Sequence, residues 1–559
     1  MEQVKGYYKK FVTEGFGEDG ALNKFEINCP DNFNFAYDII DKFGELEPDR
    51  PAVLWTDVKG GEKTVTYGEL SRLSGQAANL LVKSGVEKGD KVMLVMKRNH
   101  QFWHAITALH KIGAVAIPAT HLLTEHDFVY RFTQAQVKGI IATGDNPEIA
   151  ARVNAADKET GGGLKFKFIV NADGAPPEHF FDFDALVGEQ PCAFARAETR
   201  SREMMLLYFT SGTTGYPKMV THDYRYALAH VLTAAHWQNV QPDGIHLTVA
   251  DTGWAKSAWG KLYGQMALGA CVFVYDFDKF VPSDVLRIIQ DYKITSFCAP
   301  PTMFRFFIKE GVGNYDLSGL KYCTIAGEAL NPEVFDRWKE YTGLELMEGF
   351  GQTESVVMVA NLAGTRPKPG SMGKPVPLYN ADIIDEKGEK VPAGEVGEIV
   401  IRCERGAAGM FGGYYKNDGL TDDAWHGGIY HTGDTAYRDE DGYYWYVGRN
   451  DDLIKASGYR IGPFEIESVL ITHPAVLECA VTGAPDPIRG RVVKATVVLT
   501  KGREPSDALI KELQEHVKKN TAPYKYPRIV EFVPELPKTI SGKIKRAQIR
   551  EDDGGILDD

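Results

Sequence analysis

The chain has 559 residues, 43% of them hydrophobic and 25% charged, with a formal net charge of −13. That length exceeds a typical domain of ~100–200 residues, so at least two domains are expected. An acidic total with no long basic block argues against a nucleic-acid partner, and no apolar run approaches the ~20 residues of a membrane span, which argues against integral membrane association.

In chain order, residues 1–60 carry little chemistry beyond a possible amphipathic helix over 33–46. Residues 63–67 alternate like a strand and 68–84 read as a helix. From residue 91 the rhythm is strand, helix, strand: 91–96, 101–111, 114–118, then strands at 140–142 and 166–170. Residues 154–163 and 171–178 read as loops. After a strand at 204–209 the alternation resumes at 245–249 and runs through 332–342, with the helix at 256–268 broken by Gly260 and Gly264. Alternating strands and helices imply a mostly parallel, doubly wound α/β sheet covered on both faces. Residues 381–402 and 435–447 read instead as β-hairpins, forming a small β-barrel-like subdomain. Beyond it a smaller α+β pattern returns: helix 463–471, strands 476–481 and 492–499, helix 507–520. The expected division is 1–450 and 451–559, with the boundary among Arg449-Asn-Asp-Asp452.

The seven cysteines are scattered, without C-x-x-C or Cys/His ligand spacing, which reads as a reducing compartment and no structural zinc. The N-terminus shows neither a signal-peptide core nor an Arg/Ser-rich transit pattern, so a cytoplasmic location is expected.

The most particular stretch is Thr210-Ser211-Gly212-Thr213-Thr214-Gly215-Tyr216-Pro217-Lys218, read as strand, loop, then connection to a helix beginning near Tyr224. Glycines let several backbone N–H groups point into one concavity that suits an anion, the hydroxyls add donors, and Lys218 adds a point charge for the outer phosphates of a nucleotide. It is not the Walker pattern. The plain alternative is a polar surface loop. Downstream, Gly349-Phe350-Gly351-Gln352-Thr353-Glu354 combines close backbone approach, an aromatic face for a purine, a hydroxyl for a phosphate oxygen and a carboxylate for Mg²⁺. Alone, Phe350 reads as core and Glu354 as a solvated cap. Asp434, in Tyr430-His-Thr-Gly-Asp434, suits a ribose diol or is an ordinary turn aspartate. A Ser/Gly loop presents Lys543, which by itself reads as flexible and solvated.

Together and in this order, the motifs resemble the adenylate-forming superfamily of acyl- and aryl-CoA synthetases, luciferases and peptide-synthetase adenylation domains. The pattern is most similar to medium-chain acyl-CoA synthetases, over roughly residues 67–545. The resemblance implies ATP, Mg²⁺ and coenzyme A as cofactors and a small carboxylic acid as substrate, a short-to-medium or branched-chain fatty acid. It implies that Gly327, Glu328 and Ala329 line the adenine pocket, that Asp434 holds the ribose with Arg449 assisting, and that Asp451 is a hinge. It implies that Gly458 passes the pantetheine arm, with Arg460 either a phosphate contact or an exposed structural arginine. It implies that Lys543 is the lysine that swings over the site in the adenylation step. Trp254 matches a pocket-gating tryptophan, and with Lys256 and Trp259 suggests a short acyl pocket, although Lys256 and Trp259 are as readily placed elsewhere on their helix. Arg489, Arg491 and Lys525 are weak candidates for the CoA nucleotide.

The function expected is therefore an AMP-forming acid–CoA ligase. An aryl-CoA ligase, a carrier-protein-loading adenylation domain, a luciferase-like oxygenase and a non-catalytic nucleotide-binding protein stay open, and so does the oligomeric state, a homodimer included.

Overall fold

A computed structural model describes residues 3–210, 217–328, 330–456, 459–486, 490–539 and 543–554. Ser211 to Gly215, Ala329, Gly458 and Arg489 lie outside these residues, and so does the side chain of Arg460.

Two sheets build the bulk of the chain. The first has seven strands among the described residues, in the order Lys218–Asp223, Met204–Thr210, Val115–Pro118, Lys91–Val95, Val137–Thr143, Lys167–Val170, Phe181–Asp182. All neighbours are parallel except the first pair. The second has nine, parallel from Leu346–Phe350 through Tyr322–Ile325, Ser296–Ala299, Ile245–Thr248 and Cys271–Asp276 to Pro51–Asp57, with antiparallel strands at both edges. The central strands are near-continuous apolar runs, as a sheet covered by helices on both faces requires. Trp103, Trp237 and Trp338 are buried in the helical layers.

The expected β-rich unit is a four-stranded antiparallel sheet, Ala381–Ile384, Val396–Ile401, Tyr430–Arg438 and Tyr444–Arg449. A short 3₁₀ turn, Asn450–Asp452, follows it. Then comes a separate C-terminal α+β unit: a three-stranded sheet of Val476–Asp486, Gly490–Leu499 and Ile529–Phe532, packed with helices Pro463–Ile471, Asp507–Asn520 and Arg546–Asp552. It docks on the larger part through Arg305 donating to the Leu477 carbonyl at 3.2 Å and Asn331 donating to the Ser468 carbonyl at 3.0 Å.

Two expected elements are corrected. Residues 154–163, read as a loop, lie largely in helix Glu148–Glu159, whose Ile149, Ala150, Val153 and Ala156 form its buried face. The connection from the phosphate-type loop to the helix holds a further strand: Lys218–Asp223 pairs antiparallel with Met204–Thr210 in the register Thr210↔Lys218, and the helix expected near Tyr224 begins at Arg225. Met219, Val220 and His222 are its buried residues, and the antiparallel ladder with Met204–Thr210 fixes it as a strand.

Candidate functional site

The motif residues gather beyond the carboxyl ends of the parallel strands, where open α/β sheets place their ligands. Strand Leu346–Phe350 delivers Gly351 to Glu354, and strand Tyr322–Ile325 delivers Gly327 and Glu328. The hairpin of Met204–Thr210 and Lys218–Asp223 brings Thr210 and Lys218 opposite each other at its loop end.

Asp434 anchors the polar side of the site. It is 6% exposed, and its carboxylate accepts Gln352 Nε2 at 2.5 Å on Oδ2 and the Tyr446 hydroxyl at 3.0 Å on Oδ1. Burial pushes its pKa up, and Arg449, its cross-strand partner, opposes that shift together with Tyr446 and Gln352. Gln352 also donates to the Thr432 carbonyl at 2.8 Å and accepts the Tyr430 hydroxyl at 2.6 Å, so one amide ties the glycine-rich turn to strand Tyr430–Arg438. Phe350 lies half-buried, its ring 6.3 Å from that of Tyr446. Burial works against the Arg449 cation, but Asp434 and Asp451 outweigh it and its pKa is raised; Arg449 Nε donates to Asp451 Oδ1 at 3.2 Å.

Glu354 Oε1 accepts the Tyr414 hydroxyl at 2.9 Å, and the Lys218 ammonium lies 5.1 Å from the centre of the Tyr414 ring. Tyr414 thus links the candidate metal ligand with the candidate phosphate lysine. A lone carboxylate suits Mg²⁺, which binds through one or two carboxylates plus phosphate oxygens and water. Among the described residues no cluster of three or more His, Cys, Asp or Glu side chains forms a metal cage. The Thr353 carbonyl accepts a 2.7 Å bond from His222 Nε2, and this imidazole is held neutral by burial, its pKa pushed down to about 4.

Lys256, at the start of helix Ala255–Lys261, donates to the Ala326 carbonyl at 2.8 Å. The side chain is half-buried by surface area, yet its surroundings desolvate it enough to lower its pKa, with Glu328 opposing and Lys543 reinforcing. Glu328 keeps solvent-exposed surface while desolvation raises its carboxyl, against the pull of Lys256, Arg305 and Lys543. Trp254 stands half-buried at the N-cap of the same helix. Trp259 is 7% exposed and packs directly beneath Gly351, where a Cβ would fall 2.3 Å from its ring. Trp237 does the same beneath Gly349, at 2.5 Å, and the two indoles meet edge-on at 6.0 Å. Both glycines are therefore sites of close approach.

Lys543 is exposed, and a two-way bond with Thr539 holds its backbone: the Lys543 N–H donates to Thr539 Oγ1 at 3.1 Å, and the Thr539 N–H to the Lys543 carbonyl at 2.7 Å. Its charge is felt at Lys256, Glu328 and Asp434, so the C-terminal unit presents this lysine to the site. Of the weak CoA candidates, Lys525 is engaged with Glu465 at 2.6 Å, and Arg491 donates to the Gly483 carbonyl at 3.4 Å. Tyr430, Thr432 and Tyr446 were not readable as site residues, because cross-strand register decides their contacts, and Tyr414 was not because it reaches Glu354 from a segment 60 residues away.

The AMP-binding enzyme family matches residues 40–415, and the AMP-binding enzyme C-terminal domain matches 465–543. The chain belongs to the AMP-binding enzyme family. It is 41% identical to the human acyl-coenzyme A synthetase ACSM3, mitochondrial, over 94% of this chain and 91% of the relative. It is 42% identical to the human acyl-coenzyme A synthetase ACSM5, mitochondrial, with the same coverage. Among solved structures, the anthranilate CoA ligase AuaEII in complex with anthranoyl-AMP superposes with a TM-score of 0.85 at 30% identity, covering 94% of this chain and 98% of that one. A benzoate CoA ligase from Burkholderia xenovorans LB400 superposes with a TM-score of 0.80 at 28% identity, over 93% and 100%.

Proposed function

We propose that the protein is an AMP-forming acid–CoA ligase acting on short-to-medium or branched-chain fatty acids. The observation that carries the site assignment is the convergence of Asp434, Gln352, Glu354, Lys218 and Lys543, from four separate segments, around one place. The relatives' names support the reaction class. In the first half-reaction the acid's carboxylate attacks the α-phosphate of ATP, forming acyl-AMP and releasing pyrophosphate. The loop 211–215 and Lys218 bind the phosphates, Thr353 donates to the α-phosphate, and Phe350 with the Gly327-Glu328-Ala329 segment holds the adenine. Asp434 accepts the ribose hydroxyls. Glu354 would hold Mg²⁺, whose charge offsets that of the triphosphate. Lys543 stabilises the charge developing between carboxylate and phosphate.

In the second half-reaction the CoA thiol attacks the acyl carbonyl and AMP leaves. The 451–559 domain turns about Asp451 to withdraw Lys543 and bring the Gly458 face to the site, with Arg460 towards the nucleotide phosphates, a hinge closure of the gating kind. The arrangement described, with Lys543 facing the site, suits the adenylation step. Trp254 and Trp259 limit the acyl pocket, and the indoles packed beneath Gly349 and Gly351 favour a short one, while Lys256, bonded to the Ala326 carbonyl, turns towards the Gly327-Glu328 segment.

The test is acid-dependent AMP formation with MgATP and CoA across acetate, propionate, isobutyrate, 2-methylbutyrate, hexanoate, octanoate and benzoate. A maximum at three to five carbons is expected; a maximum at hexanoate, octanoate or benzoate refutes the short pocket, and activity with none points instead to a carrier-protein acceptor or a non-catalytic binder. The compartment belongs to the same proposal. No described helix is long and apolar enough to cross a membrane. The sequence favours the cytoplasm, the relatives' names carry the word mitochondrial, and cell fractionation separates the two.

A further inference from the structure

We infer that Glu398 is a positioning residue for nucleotide binding: its carboxylate holds open the strand bulge that aims Asp434 at the ribose. The inference rests on the ribose role proposed for Asp434.

The strands Val396–Ile401 and Tyr430–Arg438 pair as Glu398↔Thr435 and Val400↔His431. Two steps along the first strand therefore face four along the second, and Thr432, Gly433 and Asp434 all lie opposite Ile399. A bulge of this kind re-aims a side chain but strips backbone groups of their ladder partners. Here side chains replace them. The Thr432 hydroxyl donates to the Ile399 carbonyl at 2.7 Å and accepts the Asp434 N–H at 3.1 Å. Gln352 supplies the donor for the Thr432 carbonyl. The Gly433 N–H donates to Glu398 Oε1 at 2.9 Å.

Glu398 is itself fixed. Its Oε2 accepts a 3.0 Å bond from His431 Nδ1, which must carry the proton because an ionised carboxylate only accepts. The His431 ring stacks on that of His426 at 3.5 Å, and His426 Nδ1 is anchored 2.7 Å from the Asp423 carbonyl. Gly433 has a φ of 69°, a conformation that suits glycine, and a Cβ there would lie 3.3 Å from the Arg449 guanidinium. The turn thus has little freedom on its Arg449 side and depends on Glu398 on the other. The described contacts of Glu398 are with Gly433 and His431 and not with Asp434 itself, so it acts through the Gly433 peptide.

The experiment measures calorimetric affinities for ATP and for 2′,3′-dideoxy-ATP, which lacks the ribose hydroxyls, in the wild-type protein and in Glu398→Ala, Glu398→Gln and Asp434→Ala. Thermal melts confirm that each variant is folded. Wild type is expected to prefer ATP. Glu398→Ala should weaken ATP binding about tenfold, the loss of one hydrogen bond to a charged group, while leaving dideoxy-ATP binding unchanged. Its preference should collapse towards that of Asp434→Ala, with Glu398→Gln in between because a side-chain oxygen remains for Gly433. If Glu398→Ala does not fold, the same comparison is read on Glu398→Gln. A wild-type preference in the Glu398 variants alongside its loss in Asp434→Ala overturns the inference and leaves the ribose assignment standing. Equal weakening of both nucleotides also overturns it, since that is a general structural role. An unchanged preference in Asp434→Ala overturns the ribose assignment and the inference together.

Discussion

Gly351→Ala is a small change with a large expected effect. A methyl group on this residue would fall 2.3 Å from Trp259 Cη2, 2.9 Å from Cζ2 and 2.7 Å from the Val356 carbonyl oxygen. Comfortable carbon–carbon contact begins at about 3.5 Å, so the overlap is roughly 1.2 Å. Trp259 cannot swing away, because it is buried between Trp237 and His230, at 6.0 and 6.1 Å. Trp237 is itself fully buried and tied to the Met347 carbonyl at 3.1 Å. The motif backbone must move instead, carrying Gln352, Thr353 and Glu354 with it. Overpacking of this size costs about 1–3 kcal/mol of stability. A shift of roughly an ångström in the groups that position the reactants costs about 100-fold in rate. The assay is acid-dependent pyrophosphate release at saturating acid and MgATP, paired with thermal unfolding. A double-mutant cycle with Trp259→Leu isolates the cause: removing the indole should return part of the lost activity, with a coupling of at least about 1 kcal/mol. The rescue stays partial because the Val356 carbonyl remains in place. Wild-type activity in Gly351→Ala, or strict additivity in the cycle, would refute the reasoning.

Three further outcomes follow from the same geometry. Lys256→Met should raise the KM for ATP without shifting the acid preference, because its ammonium bonds the Ala326 carbonyl and sits beside Glu328; a changed chain-length optimum would instead place Lys256 at the end of the acyl pocket. Tyr446→Phe removes one of two described side-chain hydrogen bonds to the buried Asp434 carboxylate and should weaken ATP binding about tenfold, read by calorimetry. Glu348 is fully buried, and desolvation pushes its carboxyl up to about 8, only partly opposed by the Leu330 N–H. Its pKa is higher folded than unfolded, so the stabilisation is complete below about pH 4.5 and is lost as the pH rises through about 8, at up to about 1.4 kcal/mol per pH unit. Glu348→Gln should lack this slope in urea unfolding between pH 5 and 9, and an unchanged slope would contradict the assignment.

Much of the architecture was readable because caps and periodicity agree. The helices Pro332–Thr342, Pro463–Ile471 and Asp507–Asn520 begin at proline or behind a Ser or Asn cap and carry regular apolar faces. Helix Glu148–Glu159 was not, because its Asn154, Asp157 and Lys158 give it the polar texture of a loop while only a narrow apolar stripe faces inward. Strand Lys218–Asp223 has no such signal: Met219 and Val220 are buried in succession, so its six residues lack the alternation that marks a strand, and pairing with Met204–Thr210 defines it. Within the site, residues that would touch ligand carry recognisable local patterns. Those that hold them in place do not: Tyr414, Tyr446 and Glu398 reach Glu354, Asp434 and Gly433 across 60, 12 and 35 residues. The Tyr446 and Glu398 pairings follow from strand register, which a bulge alters without a mark in the sequence, and the Tyr414 pairing joins two segments outside the strands.

The most direct test of the two-step account separates the half-reactions in Lys543→Ala. Wild-type and variant proteins are compared first in AMP formation from acid and MgATP, and then in thioester formation from supplied acyl-AMP and CoA. With Lys543 facing Asp434, Glu328 and Lys256 in the arrangement described, the account predicts a loss of about 100-fold or more in the first reaction and near-wild-type rates in the second. Equal losses in both reactions, or none in the first, would contradict it.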